Sequence, residues 1–178
     1  MHFKKDPNDL QAEIHIEKAG YYMRMKQYED AIREVKKCIS VAPNHSYIHM
    51  SYNILGSCYT NLQNYTKAED AFNKAIEVKP DFLDAHCNLG YLFIATGRHD
   101  DSLNKFMYVL RKDRNHSHAI AGFKMLVEWL KSRNKMEIIL NLDFEIQLEL
   151  LSLLDNTTKS YLMETLSAVV MRAIPKDE

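Results

Sequence analysis

His45 and His49 stand four residues apart, a spacing that puts two imidazoles on one face of a helix, and His116 and His118 follow close together. Such pairs are a usual beginning of a metal site. Zinc, however, takes three or four convergent ligands, often thiolates, and no CxxC pair accompanies these histidines. His45 and His116 fall where turns are expected, and His86 takes a packing place, so no metal is assigned. A cysteine beside a histidine is the other chemistry to weigh, because an imidazole can activate a thiol. Cys58 precedes Tyr59 on what reads as the buried side of a helix, where it is a small apolar filler. Cys87, beside His86, is the more interesting of the two, but no motif of nucleophilic catalysis accompanies it. No GxSxG, no Gly-rich phosphate loop and no paired-carboxylate motif occurs, so the reading contains no catalytic residue and no cofactor.

Basic residues are the third possibility. Residues 98–135 hold nine Lys/Arg against four Asp/Glu, with RKDR at 111–114. A single-strand nucleic-acid platform would interleave such charges with exposed aromatic rings on one face. Here they read as solvated helix faces, and 136–155 answers them with five acidic residues and no Lys or Arg. The formal net charge of −1 supplies no general attraction to nucleic acid or anionic lipid.

The elements that carry these residues are helices. Among 178 residues there are only 5 Gly and 4 Pro, too few turn residues for a β sandwich, while 46% apolar and 26% charged residues are ordinary for a folded chain. No apolar run reaches the length of a bilayer span or of a signal-peptide core. An odd set of 3 cysteines gives no disulfide framework, and the expected compartment is cytoplasmic. Sequons begin at Asn44, Asn64, Asn115 and Asn156, mostly where turns and caps are expected.

A repeat organises the chain. Gly56 and Gly90 are 34 residues apart, each preceded by Leu (Leu55, Leu89) and followed three residues on by an aromatic (Tyr59, Phe93). After Gly56 come Tyr65, Ala68, Phe72, Ala75 and Pro80. The matching places after Gly90 hold His99, Ser102, Phe106, Val109 and Arg114. An earlier copy, with Ala19, Tyr22, Tyr28, Ala31, Val35, Cys38 and Pro43, lies 37 residues before the middle one, an insertion of three near SYIHM. Each copy contains two amphipathic stretches, and a small residue where they must cross. A single hairpin of this kind cannot bury its apolar face alone, so copies must stack.

This pattern resembles the tetratricopeptide repeat, with its small residue at place eight, aromatic at eleven, alanine at twenty, aromatic at twenty-four, alanine at twenty-seven and proline at thirty-two. The resemblance covers about 12–116 and is fullest at 49–82. It implies an all-α, right-handed solenoid with units at about 12–45, 49–82 and 83–116, after an N-terminal tail over 1–9. Residues 117–154 read as a decayed fourth unit, in which Ile120, Phe123 and Val127 keep core places while Lys124 replaces the small residue. LDFEIQLEL (142–150) alternates like a strand, yet Ile139, Leu142, Ile146, Leu150 and Leu153 also make a helical stripe, and Phe144, Leu148 and Leu151 a second. Helix is the preferred reading, buried on two sides. A capping helix follows over 155–178, with Leu162, Leu166, Val169, Val170 and Ala173 on one face, a cap at Asp155–Thr158 and a stop at Pro175.

In this family the first helix of each unit lines a concave groove. The resemblance therefore implies a partner-binding surface made by Met50, Asn53, Ser57, Asn61, Cys87, Asn88, Tyr91, Ile94, Met125 and Trp129. Its Asn side chains would pair with a peptide backbone, and its Met and aromatic groups would take apolar side chains. Family members that hold acidic chaperone C-termini present a Lys/Asn/Lys/Arg clamp. The corresponding places here hold Ile16, Gly20, Ile54, Asp84 and Asn88, so such tails are not the expected ligand. The expected function is a non-catalytic protein–protein interaction module without nucleic acid, membrane span or metal. The alternatives are a homo-oligomerising scaffold built on the C-terminal helices, or a secretion-type chaperone.

Overall fold

The structure, a computed structural model, describes residues 6–173. All its regular elements are helices: α1 (Pro7–Arg24), α2 (Tyr28–Val41), α3 (Ile48–Asn61), α4 (Tyr65–Val78), α5 (Leu83–Ala95), α6 (His99–Lys112), α7 (Ser117–Ser132), α8 (Glu137–Leu140), α9 (Phe144–Leu153) and α10 (Asn156–Ala173). Among the described residues, no helix is long and apolar enough to cross a membrane. Two compact units divide the chain between Leu92 and Phe93, within α5.

In the first unit α1 packs on α2 and α3 on α4, while α2 and α1 both touch α3, so successive hairpins stack. The repeat places supply the core: Ala19, Ala31, Val35, Cys38, Cys58, Ala68, Phe72 and Ala75 are at most 1% exposed. A large side chain buried to that degree contributes about 1.5–3 kcal/mol. Gly56 has a specific reason. A Cβ built on it would stand 2.5 Å from Cδ1 and Cε1 of Phe72, so α3 and α4 approach as closely as they do only with glycine there. Cys58 sits in a cluster with Ala31 and Ile32, walled by Tyr22, Tyr28 and Tyr59. It is the apolar filler that its neighbours suggested.

One turn recurs four times. Lys26, Gln63, Gly97 and Asn134 have φ of 59°, 57°, 78° and 54°, each just after the first helix of a pair. The next amide donates back to the carbonyl five residues earlier: Gln27 to Tyr22, Asn64 to Tyr59, Arg98 to Phe93 and Lys135 to Leu130, at 2.8–2.9 Å. These are Schellman closures, which satisfy carbonyls left over at a helix end. Only Gly97 announces one in the sequence. At Asn134 α7 ends in the same turn as α1, α3 and α5, and the short helix α8 follows it.

Helix α1 begins at Pro7, within the span 1–9 set aside from the repeat units. Asp6 accepts from the Asn8 amide at 2.8 Å and Pro7 holds the first helical position, so α1 starts there. In the second unit α6 packs on α7 and α9, and α7 on α10. Phe106, Phe123, Leu126, Val127, Leu130, Ile139, Leu150 and Leu162 form its buried interior, whereas Ile120 is only half-buried.

Residues 144–153 are helical, so the strand alternative falls. Helix α9 is not buried on two sides, however. Leu150, Leu153 and Leu154 are at most 5% exposed, but of the second stripe Phe144 is 71% and Leu148 50% exposed, with Leu151 half-buried. The Asp155 cap forms as the sequence indicated, accepting from the amide of Thr158 at 2.9 Å and from its hydroxyl at 2.7 Å. On α10 Leu162 is buried and Val170 exposed, while the side chains of Val169 and Ala173, and Pro175, lie outside the described residues.

Candidate functional site

Helices α3 and α5 hold the polar residues that the repeat spacing singled out. The amide of Asn88 donates to the Oδ1 of Asn53 at 2.9 Å, joining the two helices. Each side chain spends one group on the other and keeps a second, the Asn53 NH2 and the Asn88 Oδ1, for a further partner. On α3, Asn61 donates to the Ser57 carbonyl and Thr60 to the Gly56 carbonyl, both at 2.9 Å. These bonds tie the two side chains against the helix, a habit of short polar residues inside helices. Beside them lies a concavity of ≈ 180 Å³ lined by Ser57, Thr60, Asn61, Phe72, Asn88 and Tyr91. Burial, with the neighbouring Cys87, pushes the Tyr91 phenol above its ordinary pKa, so it stays a neutral donor and acceptor.

Met50, one turn before Asn53, faces a different concavity. It is 40% exposed and lines a hollow of ≈ 300 Å³ with Glu13, Ile16, Glu17 and Tyr47. Glu17 and Tyr47 were not expected there. Glu17 lies one turn beyond Glu13 on α1, and Tyr47 lies in the segment lengthened by the three-residue insertion, where the repeat supplies no counterpart. The spacing alone contained the first signal.

Two expected groove residues do not offer surface. Cys87 is 2% exposed, and burial, aided by Asp84, pushes its thiol to about 12. Ile94 is 9% exposed. Both point into packing because α5 is apolar over most of its circumference, with a single charged residue, Asp84. Ile94, Met125 and Trp129 belong to the second unit and the other seven to the first. Met125 is 45% exposed. Trp129 is half-buried, with the His99 ring stacked on it at 3.8 Å and 27°; Arg133 and Lys135 stand 5.2 and 5.8 Å from its centroid. That ring is engaged within its own unit.

The histidines serve structure. His45 Nδ1 accepts from the Tyr47 amide at 3.1 Å, and His116 Nδ1 accepts from the Ala119 amide at 3.2 Å, capping α7. Imidazole is outside the usual set of cap residues, so sequence offered no signal for either role. His86 Nε2 donates to the Pro80 carbonyl at 2.8 Å, and His49 packs edge-on to Phe82 at 4.8 Å, its pKa lowered by burial. Among the described residues no three His, Cys, Asp or Glu side chains converge as metal ligands. The Cys58 thiol is raised to about 11 by burial. In the basic stretch, Arg111 makes a two-pronged pair with Glu149 of α9 at 2.5 Å, and Arg98 pairs with Asp101 at 2.7 Å.

Comparison with known proteins agrees with this geometry. Residues 12–45 and 50–82 each match a family described as tetratricopeptide repeat. The chain is 32% identical over 92 residues to Protein O-mannosyl-transferase F38B6.6 of Caenorhabditis elegans, covering 52% of this chain and 13% of that protein. It is 31% identical over 97 residues to Protein O-mannosyl-transferase tmtc2 of Xenopus laevis, covering 53% and 12%. The chain thus spans about an eighth of the curated relatives it matches first. Among solved structures, the first TPR of Spaghetti (RPAP3) bound to the HSP90 peptide SRMEEVD superposes with a TM-score of 0.62 at 20% identity, covering 68% of this chain and 94% of that one. At that identity the likeness is one of fold.

Proposed function

This chain is a member of the tetratricopeptide-repeat family, and from that premise we propose that it is a non-catalytic interaction module holding an extended segment of a partner protein. The seat is the face of α3 and α5 in the first unit. The observation that carries the reading is the Asn88–Asn53 bridge beside the Ser57–Asn61–Tyr91 concavity. An extended peptide brings unpaired backbone amides and carbonyls, and two preset carboxamides are suited to meet them. Tyr91 offers an aromatic anchor with few rotamers to lose, and Met50 an adaptable one.

The reading departs from the relative bound to SRMEEVD. Neither α3 nor α5 contains a Lys or Arg, and Asp84 opens α5, so an acidic tail finds no cation there. The test replaces Tyr91→Ser and Asn53→Ala together and measures capture of partner peptides selected on the native chain. Loss of capture with the helical circular dichroism unchanged is expected. Undiminished capture refutes the groove.

A second reading has its own support. Phe144, Leu148, Met163 and Val170 are each at least 46% exposed and border one hollow between α9 and α10. That surface favours a homo-oligomerising scaffold as the alternative. Light scattering across a concentration series separates the two: a constant monomer mass retires the scaffold, and a mass that doubles with concentration supports it.

A further inference from the structure

Two apolar faces, one on the first helix and one on the last two, stay uncovered among the described residues. On α1, Leu10, Ile14 and Tyr21 recur at helical spacing and Met25 follows on the same line, each 44–57% exposed. They form a ridge. The other face is the hollow of ≈ 470 Å³ between α9 and α10, lined by Phe144, Leu148, Met163 and Val170, each 46–71% exposed.

The charges beside the two faces are complementary. By helical spacing Lys18 borders the α1 ridge on one side and Glu17 on the other, both exposed, while Arg24 lies at the end of the helix. Helix α9 contains no Lys or Arg, and Glu145 and its N-cap Asp143 are exposed; Glu149 is held by Arg111. Helix α10 brings Lys159 one turn before Met163, whereas Glu164 falls on its far side and accepts from the Ser160 hydroxyl. A helix can lie along the hollow in two directions, and in one of them Lys18 meets the acidic α9 while Glu17 meets Lys159.

The area is sufficient. Taking about 200 Å² for a large side chain laid bare, the eight half-exposed side chains offer roughly 800 Å² of apolar surface. A protein interface is a little over half apolar, so covering them implies about 1,400 Å² in all, the size of a specific contact. One helix fills a groove between two others, whereas two hollows set face to face would enclose a void and forfeit contacts.

We propose that the α1 ridge of one copy of this chain seats in the α9–α10 hollow of the next. This contact rests on the scaffold reading and names the surface that the C-terminal helices take. It is heterologous, so assembly either continues from copy to copy or closes into a ring.

The experiment is sedimentation equilibrium of the full chain over a concentration series, with Ile14→Lys/Tyr21→Lys spoiling the ridge and Leu148→Lys/Met163→Lys spoiling the hollow. All four positions are exposed, and helical circular dichroism checks each fold. The native mass should rise with concentration, and each variant alone should stay monomeric. An equimolar mixture of the two variants should form a heterodimer, because one keeps its ridge and the other its hollow. That recovery also shows that neither variant lost assembly by misfolding. Assembly that the hollow variant loses and the ridge variant keeps overturns this inference and leaves the scaffold reading standing. Two monomeric variants that do not associate on mixing overturn it as well. A native chain that is monomeric at every concentration, or assembly that survives in the hollow variant, overturns both.

Discussion

Gly56→Ala is the sharpest test of why these helices pack as they do. In a helix interior, alanine is preferred to glycine by about 1 kcal/mol, so an isolated helix α3 would gain. In the folded unit the added methyl would stand 2.5 Å from two ring carbons of Phe72 and 2.8 Å from a third. Carbon pairs are at rest at about 3.5–4.0 Å, so the ring must retreat by roughly 1 Å. Phe72 is 1% exposed, so a retreat of its ring disturbs the core packing around it. Overpacking of this kind costs about 1–3 kcal/mol. The contact outweighs the propensity, and a net loss of about 1–2 kcal/mol is expected. For a chain of this length that lowers Tm by roughly 2–8 °C. The assay is thermal and urea unfolding followed by circular dichroism, with Gly20→Ala as the control. A Cβ at Gly20 meets only the Arg24 Nη1 at 3.7 Å within contact range, so the same substitution there should stabilise by up to about 1 kcal/mol. Adding Phe72→Leu makes room, and the Gly56→Ala cost in that background should shrink by about 1 kcal/mol, a coupling between residues in contact. A Gly56→Ala protein as stable as the native one, or costs that simply add, refutes the reasoning.

The remaining expectations are shorter. Gln63 holds a left-handed backbone at φ 57°, so Gln63→Gly should raise stability by about 0.5–1 kcal/mol, whereas Gly97→Ala at φ 78° should lower it by about 1 kcal/mol, both read by urea midpoints. Glu34 is 8% exposed and accepts from Lys37 at 2.7 Å while His15 Nδ1 lies 2.7 Å from its other oxygen; these partners, Lys37 foremost, hold its pKa below the ordinary value. Its contribution is therefore complete above the unfolded pKa and lost as pH falls through the lower folded one. Glu34→Gln should cost about 1–3 kcal/mol at pH 7, with the native and variant unfolding curves converging in acid below about pH 4. Cys38, Cys58 and Cys87 are buried, with thiol pKa values raised, to about 11 for Cys58 and about 12 for Cys87. An aromatic disulfide reagent should leave all three unreacted in the native chain at neutral pH and titrate them after urea unfolding.

The sequence by itself determined the hairpins. Alternating helical stripes, small residues at 19, 56 and 68, and aromatics at fixed places state both the element type and which faces must be buried, because the helix period ties side-chain direction to spacing. It determined the Asp155 cap and the inert Cys58 for the same local reason. What sequence left open was settled by contacts between residues far apart in the chain. Residues 142–150 fit both a strand and a helix period, with helix the preferred reading, and the packing of Ile139, Leu150 and Leu153 into the second unit agrees with helix. The Schellman turns at Lys26 and Gln63 carry no glycine, so only the backbone reveals them. Of the groove residues, the repeat placed Asn53 and Asn88 a unit apart, but that they bond to each other depends on the distance between α3 and α5. Cys87 and Ile94 occupy groove places in the repeat and are nevertheless buried, because on a helix apolar almost all round, neighbouring elements and not periodicity decide which face sees water.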